Sequence, residues 1–314
     1  MAPDFSIAVL DGGSSTAAID AGTALGRLAG TLAAASGAVA DVLVVRNAIH
    51  IAGGADQVAA AILAGRGADG PEHDALRVHE ALRTPADRAL SNPDAGFDAG
   101  KDLLARVLDV AGLRSAVNEE TLARLDEWRG TSAPHGIIAA AVTAGAVVTA
   151  GGASTVAERA ASLAGSVTLF ATGCVAAPWI APARLDAASR SAAVQVDRSG
   201  AWQEWVRAWC AQLARESARA EAAVVTTVAR CAEERAAVRG RPRVGATDAA
   251  VLAWLHTRTS GSIRDAAAGL GLTIPTVGTS LERLAGQGLV AELTGQRRDR
   301  IWVAGAYLDL AAGG

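Results

Sequence analysis

The stretch Gly151–Thr155 contains the residue types best suited to binding phosphate. Two glycines and two hydroxyl side chains stand just before a predicted helix, and Arg159 follows within that helix. Free N–H groups and the helix dipole favour anions at such a junction. The candidate nucleotide-binding residues are therefore Gly151, Gly152, Ser154, Thr155 and Arg159. The same residues also suit an ordinary glycine turn, a Ser/Thr cap and a surface arginine, and we favour this interpretation because short motif matches are common.

The cysteines and histidines form no pattern that predicts a metal site or a nucleophile. Cys174, Cys210 and Cys231 are odd in number and widely spaced, without a CxxC pair, so neither a disulfide framework nor a zinc site is expected. No Ser, Cys or acid stands in triad-like order with a histidine, although a constellation assembled by the fold remains open. We therefore predict no catalytic residue and no cofactor from these side chains. The histidines are His50, His73, His79, His135 and His256.

The last quarter of the chain predicts three helices, two strands and a terminal helix. Capping residues and helical spacing of apolar residues indicate the helices, and alternation indicates the strands. The helices are expected over Thr247–Arg258, over Ser262–Leu270 and from the capping Thr273 onward; the strands over Leu289–Thr294 and Arg300–Val303, around a tip at Gly295–Arg298. This order is typical of a winged helix-turn-helix, in which the tip is the wing.

Such a domain would separate a buried face from a presented face. Arginines in the wing suit DNA phosphates or a minor groove, while hydroxyl groups on the third helix suit contacts to DNA. The candidate DNA-binding residues are Thr276, Thr279, Ser280 and Arg283 on the helix, and Arg297, Arg298 and Arg300 on the wing. The alternative is that the domain serves as a dimerisation or docking module, since only Arg283 is available on the helix for reading the major groove.

Charge is divided unevenly along the chain. The net charge is −3, but the part from Arg239 onward has nine arginines against six acidic residues, a balance of +3, which leaves −6 for the rest. A basic tail on an acidic body is compatible with nucleic-acid contact by the tail, with modest and salt-sensitive affinity. The N-terminus lacks the basic and apolar segments of a signal peptide, so we expect a cytoplasmic protein.

The remainder of the chain predicts a mainly helical body. Trp202–Val238 reads as one long helix with Trp202, Trp205 and Trp209 on a buried stripe. Two uncharged runs, Gly136–Ala157 and Ala160–Ala183, are rich in Ala, Gly, Ser and Thr, so we interpret them as buried core helices rather than membrane spans. The content of Pro, Asp and Gly predicts a loop over Arg83–Gly100. The expected domains are 1–238 for the helical body, 239–246 for a linker and 247–314 for the winged helix.

Three segments of the chain resemble Fic (Fido-domain) proteins that carry a C-terminal winged helix. Glu292–Leu310 (ELTGQRRDRIWVAGAYLDL) is similar to the wing and last helix of those proteins, and Ser199–Trp209 (SGAWQEWVRAW) is similar to the helix after their active site. Ala139–Leu163 occupies the place of their active-site segment. The resemblance implies a Fic-like helical body at residues 1–238.

The resemblance also implies a degenerate active site. Fic enzymes move AMP from ATP to a hydroxyl side chain with a loop of the form HPFxxGNGRxxR, in which the histidine is the general base. On that pattern Val148 takes the histidine position, Ser154 the asparagine, Thr155 a glycine, and Arg159 matches the last arginine. A valine cannot accept a proton. The inhibitory helix of many Fic proteins has its best counterpart in Ala48–Gly53, which lacks the inhibitory glutamate.

These observations together predict a catalytically degenerate Fic-like protein that acts as a binding or regulatory module, with DNA as its expected partner. Two alternatives remain open. The chain could be an active adenylyltransferase with a non-standard site, in which case ATP and Mg²⁺ would bind, or it could be a protein-interaction module without DNA binding. A protein partner and a homo-oligomer are compatible with every one of these hypotheses, and no membrane association is expected.

Overall fold

The computed structural model describes residues 11–52, 58–64, 71–91, 101–132, 136–152, 154–177, 182, 184–240, 245–296 and 298–313. These residues are mainly helical and contain one small antiparallel sheet, so the mainly α prediction is confirmed at this level. The helices that precede residue 241 are α1 (Gly12–Ala34), α2 (Gly37–Ala52), α3 (Val58–Leu63), α4 (Pro71–Ser91), α5 (Lys101–Val110), α6 (Glu119–Ser132), α7 (Gly136–Ala150), α8 (Thr155–Ala171), α9 (Ala187–Ser199) and α10 (Trp202–Arg239).

The long helix α10 organises this helical body. It packs along α1 over much of its length and also contacts α7 and α9. The tryptophan stripe faces the core, as its spacing predicts: Trp202, Trp205 and Trp209 are at most 4% exposed. The indole N–H of Trp205 donates to the carbonyl of Ala141 at 2.6 Å, which pairs a buried donor and fixes the distance between α7 and α10.

The two uncharged runs form α7 and α8, which pack against each other inside the body. Almost every residue from Ile137 to Val148 is buried by protein, so their apolar character reflects a core position. Among the described residues, no helix has the length and hydropathy needed to cross a membrane. The second run, expected to be helical over Ala160–Ala183, is helical only to Ala171, where α8 ends.

Two features of the body differ from the sequence prediction. The loop expected over Arg83–Gly100 is helical to Ser91, where α4 ends, because Ala86, Arg88 and Leu90 favour a helix and outweigh Pro85. Residues 92–100 lie outside the described residues. Helix α9 was not predicted. Asp186 caps it by accepting the N–H of Ser189 at 2.8 Å, and Gly200 ends it in the left-handed conformation at φ 68°.

Residues 245–313 form a C-terminal unit with its own small core. Its elements are α11 (Gly245–Leu255), β1 (Gly261–Ser262), α12 (Ile263–Leu270), α13 (Ile274–Ala285), β2 (Val290–Glu292), β3 (Ile301–Ala304) and α14 (Gly305–Ala312). The predicted order of helices and hairpin is observed, and β1 is an addition. The sheet is antiparallel with order β1-β3-β2, and Trp302 of β3 pairs with Gly261 on one side and Glu292 on the other.

The last helix of the unit, α14, extends away from the sheet and packs on the body. Tyr307 and Leu310 belong to the main core together with residues of α2 and α10. At the start of the unit, residues 241–244 of the expected linker lie outside the described residues, while α10 itself packs against α11. The C-terminal unit therefore contacts the body at both of its ends.

Candidate functional site

The turn between α7 and α8 has the geometry of a glycine turn followed by a helix cap. Gly152 has a positive φ of 68°, which favours glycine. The hydroxyl oxygen of Ser154 accepts the N–H of Ala157 at 3.2 Å, and Thr155 is the first residue of α8. A Cβ on Gly151 would approach that of Ala157 to 2.4 Å, so close packing requires this glycine. The interpretation favoured from the sequence accounts for this turn; Ala153 lies outside the described residues.

A cavity of about 390 Å³ nevertheless opens at the N-terminus of α8. Four groups of residues line it: the end of α2, the first turns of α8, the segment before α9, and α9 itself. They are His50, Ile51, Ala52, Thr155, Val156, Glu158, Arg159, Arg184 and Arg190. Three arginines against one glutamate, at the N-terminus of a helix, make this cavity suited to an anion.

Two of the three arginines are already paired with carboxylates. Arg159 donates through both terminal nitrogens to Asp74 of α4 at 3.2 Å, while its Nε has no hydrogen-bond partner among the described residues. Arg190 binds both carboxylate oxygens of Glu158, at 2.7 and 3.2 Å, and these contacts raise the pKa of its guanidinium. Arg184 is exposed, and the described part of the chain contains no ion pair to it. About one positive charge is thus left for a ligand.

The position assigned to the Fic histidine does not reach this cavity. Val148 is 1% exposed within α7 and packs in the main core. By contrast, His50 of α2 lines the cavity together with Thr155 and Arg159. About a hundred positions separate His50 from them in sequence, so no spacing could have revealed this neighbour. His50 belongs to the segment Ala48–Gly53, of which Ile51 and Ala52 also line the cavity, while Gly53 lies outside the described residues.

The presented face expected on α13 is smaller than predicted. Thr276 and Thr279 are exposed, as the sequence prediction requires. Ser280 is fully buried, however, and its hydroxyl donates to Asp248 of α11 at 2.5 Å. It lies in the same stripe as Val277, Leu281 and Leu284, at i, i+3, i+4 and i+7. The assignment of Ser280 to a DNA-contacting face is therefore wrong.

The side chain of Arg283 is partly exposed but is paired with the buried carboxylate of Asp248. Its Nη2 donates to Asp248 at 2.6 Å and its Nε to the other carboxylate oxygen at 3.2 Å, while its side chain remains 38% exposed. The hydrogen bonds to Asp248 raise the pKa of this guanidinium. A charge held by a carboxylate in two-point geometry is less free to contact a base edge than the sequence suggested.

The tip between β2 and β3 presents part of its expected charge. Arg298 is exposed, and Arg297 lies outside the described residues. Nη1 of Arg300 lies 3.5 Å from Oε1 of Glu282, and its Cζ lies 5.9 Å from the centre of the Trp302 ring. The side chain is therefore held against the sheet. Glu292 organises the turn by accepting the N–H groups of Thr294 and Gly295. The pKa of Glu292 is lower than usual, because the effect of burial, which would raise it, is outweighed by the hydrogen bonds from Thr294 and Gly295.

The structure also brings together three side chains that the sequence kept apart. The ligand atoms of Cys231, Glu234 and His256 all lie within 4.8 Å of one another, and all three residues are buried. Cys231 and Glu234 are on α10, and His256 directly follows α11. The i, i+3 spacing on α10 was a visible signal, but the third member depends on how α11 packs.

Comparison with known proteins adds no family to these observations. A scan against protein-family models and a search of curated proteins both find no match to this chain. The resemblance to Fic proteins therefore stays a prediction from the sequence, and function has to be argued from the cavity and from the C-terminal unit.

Proposed function

We propose that this chain is a catalytically degenerate DNA-binding regulator whose C-terminal unit is a winged helix. The observation that carries this proposal is the order of elements. A strand between the first two helices pairs with β3, and the third helix leads into the β2–β3 hairpin. Between α12 and α13, Gly271 adopts the left-handed conformation at φ 65°, which supports a tight helix-turn-helix.

The surface of α13 and the hairpin tip supply the proposed DNA contacts. Thr276 and Thr279 lie one turn apart on α13, so both hydroxyls face the same side. Threonine hydroxyls donate and accept hydrogen bonds to phosphates and base edges. Arg298 at the tip adds an exposed charge, and Thr273 with Pro275 gives α13 a well-defined N-terminus.

Charge limits how tightly this surface can bind. From Thr247 onward six arginines face six acidic residues, so the excess noted from Arg239 comes from Arg239, Arg241 and Arg243. Arg241 and Arg243 lie outside the described residues. A neutral domain with a short basic segment before it gains little from counterion release. We therefore expect weak general DNA binding, with tighter binding confined to particular sequences.

The proposal is tested by selecting bound fragments from a genomic DNA library and titrating them by fluorescence anisotropy at several salt concentrations. Thr276→Ala with Thr279→Ala should weaken binding about tenfold, because two neutral hydrogen bonds are lost. Arg298→Ala should also lower the slope of log affinity against log salt concentration by about 0.9. The matched control is Arg198→Ala, which removes an exposed arginine from α9 on the body.

Two outcomes of this titration contradict the proposal. One is the absence of salt-dependent binding to every selected fragment. The other is an equal effect of Arg198→Ala and Arg298→Ala, which would indicate general charge attraction rather than a wing contact. If DNA binding is absent and the chain instead co-purifies with a protein partner, the unit acts as a docking module.

A second candidate function rests on the cavity at α8. We propose that it holds the phosphate groups of a nucleotide, with Arg159 and Arg184 as the anion-binding side chains. If group transfer occurs there, His50 is the side chain placed to act as the base, since Val148 is buried away from the cavity. ATP with Mg²⁺ is the nucleotide that the resemblance to Fic proteins implies.

Calorimetric titration with ATP and Mg²⁺ tests binding, and incubation with labelled ATP and cell lysate tests transfer. Arg159→Ala should reduce ATP affinity by tenfold or more, because charge-assisted contacts contribute about 1.5–3 kcal/mol. Arg198→Ala again serves as the control. Label transfer that His50→Gln abolishes would overturn catalytic degeneracy, and the absence of any ATP binding would remove the second candidate.

A further inference from the structure

Three metal-ligating side chains meet where the long helix joins the C-terminal unit. Cys231 and Glu234 lie three residues apart on α10 and so share one face of that helix. His256 approaches them from the end of α11. The residues are 5%, 8% and 3% exposed, and their ligand atoms lie within 4.8 Å of one another.

Polar atoms in this cluster lack the hydrogen bonds that buried groups normally make. Both ring nitrogens of His256 and Oε2 of Glu234 have no hydrogen-bond partner among the described residues. Nε2 and Oε2 lie 3.4 Å apart, which is longer than an ordinary N–H···O hydrogen bond. More than nine in ten buried polar groups are satisfied, so Oε2 of Glu234 and the His256 nitrogen that faces it call for a shared partner.

We propose that Cys231, Glu234 and His256 bind a zinc ion. Thiolate, imidazole and carboxylate are the three ligand types that zinc takes in proteins, and three protein ligands with one water complete its tetrahedron. One thiolate and one carboxylate also neutralise a divalent cation. Tetrahedral zinc places sulfur and nitrogen ligands about 3.5 Å apart. Because no two of the ligand atoms are more than 4.8 Å apart, no pair has to close by more than about 1.3 Å, which is within the reach of side-chain rotation.

An outer contact already orients the carboxylate for this role. Nε of Arg230 donates to Oε1 of Glu234 at 2.8 Å, which leaves Oε2 directed towards His256. Arg230 also pairs with Asp309 of α14, so its own charge is balanced. Ligating carboxylates are commonly fixed by hydrogen bonds of this kind. Zinc binding would displace the proton of the Cys231 thiol and release it to solvent.

The site would fasten the body to the C-terminal unit. Two ligands belong to α10 and the third directly follows α11, and these two helices lie on opposite sides of the segment 241–244 in the sequence. The hydroxyl of Tyr307 on α14 donates to the backbone carbonyl of His256, so a third helix is anchored at the same place. This inference is independent of DNA binding and of the cavity at α8.

The test uses the full chain, freed of metal with a chelator and titrated anaerobically with Co²⁺, a spectroscopic substitute for zinc. We expect a thiolate-to-cobalt charge-transfer band that saturates at about one equivalent and that Zn²⁺ displaces. Cys231→Ser should abolish the band, whereas Cys174→Ser and Cys210→Ser should retain it. His256→Gln should weaken Co²⁺ binding by more than the about 10- to 100-fold that loss of an outer contact costs.

Measurements on the unaltered chain keep the test decisive even if a variant fails to fold. Zn²⁺ should raise the unfolding temperature of the metal-free chain, and elemental analysis after dialysis should find about one zinc per chain. A folded chain that gives no thiolate band with Co²⁺ overturns the proposal and leaves a plain Glu234–His256 contact. A band that persists in folded Cys231→Ser overturns it as well.

Discussion

Gly145 of α7 packs directly against two tryptophans of α10, and Gly145→Ala tests that packing. A Cβ at this position would lie 2.4 Å from Nε1 of Trp205 and 2.8 Å from Cζ3 of Trp202. Both tryptophans are buried, so neither can move aside into solvent. The added methyl must push the helices apart or displace the Trp205 indole from the carbonyl of Ala141.

The expected cost follows from three contributions. Overpacking a well-filled core costs about 1–3 kcal/mol. Loss of the 2.6 Å hydrogen bond leaves the buried Trp205 N–H unsatisfied, at about 1–3 kcal/mol. The higher helix propensity of alanine returns about 1 kcal/mol. We expect Gly145→Ala to lower the free energy of unfolding by about 3 kcal/mol.

The control is the same substitution at Gly26, in the interior of α1. Gly26 is exposed, and nothing lies within 4 Å of the Cβ that would be added there. Only the helix-propensity gain remains, so Gly26→Ala should raise the free energy of unfolding by up to about 1 kcal/mol. Urea denaturation followed by far-UV circular dichroism measures both variants. If Gly145→Ala is as stable as the unaltered chain, the close α7–α10 contact is refuted.

Two further substitutions test the lowered pKa of His79 and the role of the buried Asp248 carboxylate. Burial, with a smaller contribution from the charge of Arg83, lowers the pKa of His79 from 6.5 to about 4. The unfolded chain therefore binds more protons between these values, and stability should fall by about 1–3 kcal/mol as pH drops through that window. His79→Gln should flatten this part of a profile of urea midpoint against pH, and a profile that the substitution leaves unchanged would contradict the argument. Asp248→Ala should cost about 2–3 kcal/mol by urea denaturation, because Ser280 loses its buried partner and Arg283 its carboxylate. An unchanged midpoint would show that this cluster contributes nothing.

Elements with strong local signals were predictable from the sequence. The tryptophan stripe predicted α10 to within one residue, and Thr273 with Pro275 predicted the start of α13, because caps and apolar periodicity act within a few residues. Helix α9 buries mostly small side chains, Ser189, Ala192 and Ala193, so its apolar stripe is weak and a single Asp186 cap is its main local signal. Strand β1 has only two residues, and its pairing with β3 depends on residues forty positions away.

Functional side chains were less predictable because their state depends on distant partners. A serine at the position of Ser280 can be either buried or exposed. Here it is buried because its hydroxyl donates to Asp248 on another helix. His50 and Arg159 reach one cavity from α2 and α8. Cys231 and His256 meet only because α11 folds back onto α10. Spacing along the chain carries no record of such neighbours.

The docking of α14 on α2 changes how the C-terminal unit can move. A module held by one flexible tether swivels about it, whereas a module clamped at entry and exit keeps a set orientation. At the far end of α14, a Cβ on Gly313 would lie 3.3 Å from Nε2 of His50, which also lines the cavity. Because β3 runs directly into α14, a single helix connects the surroundings of His50 to the middle strand of the sheet.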